Sequence, residues 1–140
     1  MKEEHSAAAV VYHKNAFLLL KYEMGHWGFV KGIIEEEESK NETIMRELKE
    51  ETGIEKAEII DNFQEEYQYY YKLGGNTIHK RVDCFLIETK TKNVKLSYEH
   101  TDYSWLPYQK AMEKLSHENT RNILTKAHSF LKSRLDPYMK

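Results

Sequence analysis

From Ser6 to Tyr12 the residues are small and β-branched, which predicts a first strand, and His13-Lys14-Asn15 is a turn cluster. Ala16 to Tyr22 then predicts a second strand. Its apolar run is continuous rather than alternating, as in a central strand covered on both faces. The two are expected to pair as a hairpin. Glu23 to Gly25 reads as a loop, and Trp27 to Val30 as a short extended piece leading into Gly32. The acidic run Glu35 to Glu38 supports neither helix nor strand. Ser39 and Glu42 have the spacing of a capping box, so a helix should begin there. Ile44, Met45 and Leu48 form its core stripe, and Thr52-Gly53 ends it, with glycine supplying a left-handed cap.

Ala57 to Tyr71 alternates imperfectly and is rich in Ile, Phe and Tyr. Leu73-Gly74-Gly75-Asn76 is a hairpin signal. His79 to Thr89 is the return strand, with Val82, Phe85 and Ile87 as core positions. Val94-Lys95-Leu96 reads as a short edge strand and Asp102 to Leu106 as another. Pro107 should start a helix through Leu115. A last helix is expected from Glu118 to Leu135, with Ile123, Leu124, Ala127, Phe130, Leu131 and Leu135 as its apolar stripe. Asp136-Pro137 should end it. There is no internal repeat, linker or low-complexity segment. Strands and helices alternate irregularly, which predicts one domain over residues 1–140, of α/β (α+β) class with a mixed sheet.

Composition narrows the classes of function. A chain of 140 residues, 40% hydrophobic and 31% charged, fits one soluble domain with a core. The net charge of −2 carries no field for bulk nucleic acid, so no DNA partner is expected. Cys84 is the sole cysteine, which excludes an internal disulfide and a four-cysteine zinc site, and suggests the cytoplasm. Its apolar stretches are too short to span a bilayer, and no signal-peptide pattern follows Met1. No membrane partner is expected.

The chemistry concentrates between Gly32 and Ile54. Glu47, Glu50 and Glu51 share one face of the predicted helix, at spacings of three and four. Like charges so placed destabilise a helix by roughly 0.2–0.5 kcal/mol per pair. Glu50 and Glu51 also lie in the last turn, where the helix dipole favours cations. A divalent cation would resolve both conflicts, because carboxylate oxygens are the ligands that Mg²⁺ takes. The apolar face adjoins the acidic one, so core packing would aim the carboxylates at a neighbouring cleft.

Gly32, Glu38, Arg46-Glu47-Leu48, Glu50-Glu51 and Gly53-Ile54 together resemble the Nudix box, G-x5-E-x7-R-E-aliphatic-x-E-E-x-G-aliphatic, at every fixed position. The resemblance implies an α/β/α sandwich with a mixed sheet between helices. It implies that Glu47, Glu50 and Glu51 bind metal, with the backbone carbonyl of Gly32 as a further ligand. The expected cofactor is Mg²⁺, with Mn²⁺ as a substitute. Arg46 and Glu38 would orient the carboxylates through charge-assisted hydrogen bonds.

Two further segments narrow the resemblance. His26 to Gly32 (HWGFVKG) and Leu96 to Leu106 (LSYEHTDYSWL) are similar to segments of the asymmetrical diadenosine tetraphosphate hydrolases. That subfamily implies Glu99 as another metal ligand and, with Glu47, as one of two candidates for the base. It points to Tyr69 for base stacking and to a lysine on the polyphosphate, for which Lys80 is favoured and Lys31 and Arg81 are alternatives. His26 could hydrogen-bond phosphate, and Tyr103 could stack. The chain departs from the pattern at Val30, where proline is usual, and at Glu37, where glycine is frequent. The implied activity is water attack on a phosphoanhydride of a dinucleoside polyphosphate. A Nudix hydrolase of nucleoside triphosphates or RNA 5′ ends, and a non-catalytic nucleotide-binding module, are the alternatives.

Overall fold

The computed structural model describes residues 1–139, with side chains through Arg134. In chain order the elements are β1 (Lys2–His13), β2 (Ala16–Tyr22), β3 (Trp27–Gly28), β4 (Val30–Ile33), α1 (Lys40–Thr52), β5 (Ala57–Ile59) and β6 (Glu65–Leu73). They continue with β7 (Asn76–Thr89), β8 (His100–Leu106), α2 (Tyr108–Lys114) and α3 (Glu118–Met139).

β1 is the axis of a mixed sheet. Along one edge it runs parallel to β7, from Lys2 opposite Ile78 to Tyr12 opposite Glu88. Along the other it pairs antiparallel with β4 over Ser6 to Ala9, and then with the start of β2 at Tyr12 and His13. The predicted hairpin therefore exists but is short. β2 leaves β1 after two residue pairs and runs on between β3 and β8. The outer edge of β7 carries β6 and then β5.

Because side chains alternate across a strand, β1 and β2 feed two cores at once. Ala7, Ala9, Val11, Leu18 and Leu20 face Ile44 and Leu48 of α1. Ala8, Val10, Tyr12, Phe17 and Leu19 face Ala111 and Leu115 of α2 and Ile123, Leu124 and Ala127 of α3. This is the expected sandwich, and the unbroken apolar run of β2 reflects burial on both sides.

Several boundaries differ from the sequence reading. Val94 to Leu96 is not a strand. The Lys95 N–H donates to the Thr52 carbonyl at 2.8 Å and the Ser97 N–H to the Glu51 carbonyl at 3.3 Å. The donors an edge strand would offer a neighbour instead close the last carbonyls of α1, which have no partner within the helix. Ala57 to Tyr71 divides into β5 and β6, because Ile60 and Phe63 turn inward between them and are buried. β1 begins at Lys2 rather than Ser6, because parallel pairing with β7 extends it, and β7 begins at Asn76 rather than His79, because the hairpin with β6 carries it back to the turn. α3 runs past Asp136-Pro137 to Met139. A proline so near a helix end removes one bond from a ladder that is already finishing. The Leu135 side chain lies outside the described residues.

Candidate active site

α1 is built as its sequence demands. The Glu42 N–H donates to Ser39 Oγ at 3.1 Å and the Ser39 N–H to Glu42 Oε1 at 2.8 Å, closing the capping box. Gly53 ends the helix at φ 75°, where a side chain would be strained. Between these caps, burial of Ile44 and Leu48 fixes the rotation of the helix and turns Glu47 and Glu51 inward.

Arg46 is more than an i,i+4 partner of Glu50. Its Nε and Nη2 grip the two oxygens of Glu38 at 2.6 and 3.0 Å, a fork-to-fork pair. Nη1 donates to Glu47 at 2.8 Å and to Glu50 at 3.2 Å. The guanidinium beside Glu38, helped by the Thr43 hydroxyl, holds that carboxyl down at about 2. Arg46 thus ties the acidic loop to the helix and fixes the orientation of Glu47.

Glu51 is 2% exposed. Its Oε1 accepts the Lys31 N–H at 3.4 Å. Burial and the neighbouring Glu47 push its carboxyl up to about 9, and burial raises Glu47 as well. Glu47 lies directly over Gly32, where a Cβ would overlap its carboxylate. The buried carboxyl of Glu51 and the half-buried one of Glu47, beside a backbone glycine, form an oxygen-rich cradle with no ion-paired cation on its inner side among the described residues. That fits a hard divalent cation. Glu50 is drawn to the rim by Arg46, its side chain 57% exposed, and Glu99 is exposed in the turn before β8. Among the described residues, no three acidic, His or Cys groups already meet as a ready cage. The structure therefore brings together Glu47, Glu51, Gly32, Arg46 and Glu38, and leaves Glu50 and Glu99 at the margin.

The raised carboxyl has a consequence for stability. Between about 4.5, the ordinary value, and about 9, the folded metal-free protein keeps a proton that the unfolded chain has lost. Stability must then fall as pH rises through that window. Burial lowers the His26, His100 and His128 imidazoles, which adds stability as pH rises through their ordinary range, so melting temperatures in chelator should decline from pH 7 to pH 9, and saturating Mg²⁺ should flatten the decline. Glu38, held low, contributes constantly over this range. A flat metal-free profile above pH 7 would contradict the raised Glu51 carboxyl.

On the other face of the sheet is a cavity of about 690 Å³. The register explains its link to the carboxylates. Ala8 pairs with Lys31 and Ala7 with Gly32, so consecutive residues of β4 serve opposite faces. The Lys31 side chain enters the cavity while Gly32 meets α1. Burial and the nearby Lys80 lower the Lys31 ammonium. His26 and Tyr69 also line the cavity. The His26 ring stacks on Tyr22 at 4.5 Å, and Tyr69 stacks beside Tyr67 at 6.1 Å. Lys80 is buried and bound to Glu4 at 2.7 Å, and Arg81 pairs with Glu66 at 3.6 Å. Tyr103 is on the outer part of β8, away from the cavity.

The sequence reading missed Tyr22, Phe29, His117, Asn119 and Asn122, which also line the cavity. A register shift between Lys21 and Tyr22 sets the position of Tyr22. The segment from His117 to Asn122 reaches the cavity because Ser116 anchors it to β3, its Oγ accepting the Trp27 N–H at 2.9 Å. Neither feature has a local signal.

The NUDIX domain model matches residues 3–127. The chain belongs to the Nudix family. It is a Nudix hydrolase, with every fixed position of the Nudix box in place. Over 121 residues it is 37% identical to the mouse asymmetrical bis(5′-nucleosyl)-tetraphosphatase, covering 82% of this chain and 80% of that protein. Over 138 residues it is 29% identical to the dihydroneopterin triphosphate diphosphatase of Haemophilus influenzae, covering 89% and 87%. The crystal structure of a C. elegans Ap4A hydrolase binary complex superimposes with a TM-score of 0.81 at 27% identity, covering 93% of this chain and 98% of that one. Nudix hydrolases generally use divalent metal ions. No described helix is long and apolar enough to cross a membrane.

Proposed function

We propose that this Nudix hydrolase cleaves dinucleoside polyphosphates, diadenosine tetraphosphate among them, by water attack on a phosphorus within the chain. The observation that carries the reading is the continuity at Lys31. Its N–H touches the buried carboxylate of Glu51, while its side chain lines an aromatic cavity. A nucleobase held in that cavity presents its phosphates to the carboxylates. The mouse relative, by name an asymmetrical bis(5′-nucleosyl)-tetraphosphatase, supports the same substrate class.

Glu47, Glu50, Glu51, the Gly32 carbonyl and Glu99 would hold Mg²⁺, or Mn²⁺ in its place. The bound cation supplies charge neutralisation on the phosphate oxygens and lowers the pKa of water. Arg46 keeps Glu47 and Glu50 oriented. Lys31 meets phosphate as a point charge. His26 hydrogen-bonds the phosphate chain. Tyr69, with Tyr67 beside it, stacks the base, worth roughly 1–3 kcal/mol. Water loses its proton to Glu47 or Glu99, and the P–O–P bridge breaks to release ATP and AMP.

Incubation with Mg²⁺ and diadenosine tetraphosphate, followed by chromatography, should give ATP and AMP in equal amounts. Two molecules of ADP, or no turnover alongside hydrolysis of a nucleoside or pterin triphosphate, would overturn the substrate assignment. The metal chemistry would stand.

A further inference from the structure

His100 is buried with its side chain fully covered, at the start of β8 and next to Glu99. Its ring meets Tyr22 edge-on at 4.5 Å. Its Nδ1 lies 3.5 Å from Ser97 Oγ. Its Nε2 has no hydrogen-bond partner among the described residues, although it is fully buried. A buried polar atom left unpaired costs on the order of 1–3 kcal/mol, so it calls for a partner. The nearest acceptor is Glu51 Oε1, at 3.8 Å, just beyond hydrogen-bond reach.

The turn that carries Glu99 is already fastened to α1. Backbone N–H groups of Lys95 and Ser97 donate to the carbonyls of Thr52 and Glu51, and the His100 N–H donates to the Ser97 carbonyl at 3.3 Å. The gap between His100 Nε2 and Glu51 Oε1 leaves a link between this turn and the helix-borne carboxylates unclosed. When the Ser97 hydroxyl donates to Nδ1, the ring proton sits on Nε2 and faces Glu51.

We propose that His100 is a positioning residue that donates Nε2–H to Glu51 and so locks the Glu99 turn onto the metal-holding face of α1. This rests on the reading that Glu51 and Glu99 hold metal. A short shift of the Glu51 side chain closes the 3.8 Å gap from Oε1 to Nε2. Partners of this kind orient metal-bound carboxylates, and losing one costs roughly 10–100-fold in metal affinity.

Calorimetric titration of the nucleotide-free protein with Mn²⁺ tests this without relying on turnover. Wild-type binding establishes the metal site itself. His100→Leu should weaken Mn²⁺ binding about 10–100-fold, and His100→Gln, whose amide can donate from a similar place, should recover most of that loss. A folded His100→Leu with wild-type affinity overturns the proposal while leaving the metal site intact. No Mn²⁺ binding by the wild type would instead remove the reading on which it rests. If His100→Leu does not fold, ¹⁵N NMR of the wild-type imidazole decides. The Nε2–H tautomer should be present, and its proton should move downfield on adding Mg²⁺. The Nδ1–H tautomer, or a resonance that ignores Mg²⁺, overturns the proposal.

Discussion

Glu51→Gln should lower kcat on the order of 10³-fold, within the range for losing a group that acts directly on the reacting centre, while the protein still folds. The reason lies in the two states of this carboxyl. Without metal it is buried and protonated at neutral pH. Glutamine has the same shape and no charge, so it imitates that form. The metal-free variant should therefore melt no lower than wild type at pH 8, and its pH-dependent decline should shrink. With metal the comparison reverses. An amide cannot become an anionic ligand, so the variant should lose both the Mg²⁺-induced rise in melting temperature and the turnover. Two measurements, melting with and without Mg²⁺ and a steady-state rate, separate a functional loss from a folding one. Unchanged activity would sink the assignment of Glu51 to the metal site.

What could be read in the sequence divides along a physical line. The helix-borne site was legible because its determinants are local. The capping box, the left-handed Gly53 and the i,i+3 and i,i+4 carboxylates all lie within about four turns of chain; the structure forms both caps as expected and turns Glu47 and Glu51 inward, while Glu50 stays at the rim on Arg46. The cavity was not legible, because strand register and distant segments build it. Four tyrosines compete in β6, and only pairing with β7 sorts them. Tyr67 and Tyr69 line the cavity, Tyr71 donates to Glu4 at 3.0 Å, and Tyr70 stacks on His79 across the sheet. Lys80, favoured as the phosphate contact, is paired with Glu4, which the parallel β1–β7 ladder brings beside it, and that partner has no local signal either. Val94 to Leu96 has strand-like residues, but the unpaired carbonyls of α1 had the stronger claim on its backbone.

Glu37 illustrates a departure that proved conservative in geometry. Glycine is frequent there in the resembled pattern, and Glu37 adopts φ 70° all the same. A non-glycine residue in that region costs roughly 1–2 kcal/mol. The turn is held by the Glu38 N–H on the Glu35 carbonyl and by the Glu35 N–H on the Glu38 carboxylate, both at 3.1 Å. Since Glu38 is also gripped by Arg46, the strain is borne by the network that positions Glu47.

Gly32→Ala should separate activity from stability more sharply still. Gly32 is within a regular strand, and its backbone is outside the left-handed region, so alanine can adopt its conformation. Glycine inside an element is itself unfavourable by roughly 0.5–1 kcal/mol, which offsets part of any strain. The obstacle is the Glu47 side chain, which occupies the space a Cβ needs. Glu47 is flexible and can swing aside. In doing so it leaves Glu51, breaks its bond to Arg46, and withdraws a carboxylate from the place where the phosphate would react. Misplacing a reacting group by about 1 Å can cost on the order of 10²-fold in rate. A loss of that size in kcat is expected, with denaturant midpoints close to wild type and weaker Mg²⁺ binding. Full activity would mean that the packing of Glu47 on β4 is incidental. Unfolding would mean that the close approach serves the sheet rather than the site. Glycine is required at this position for what it leaves empty.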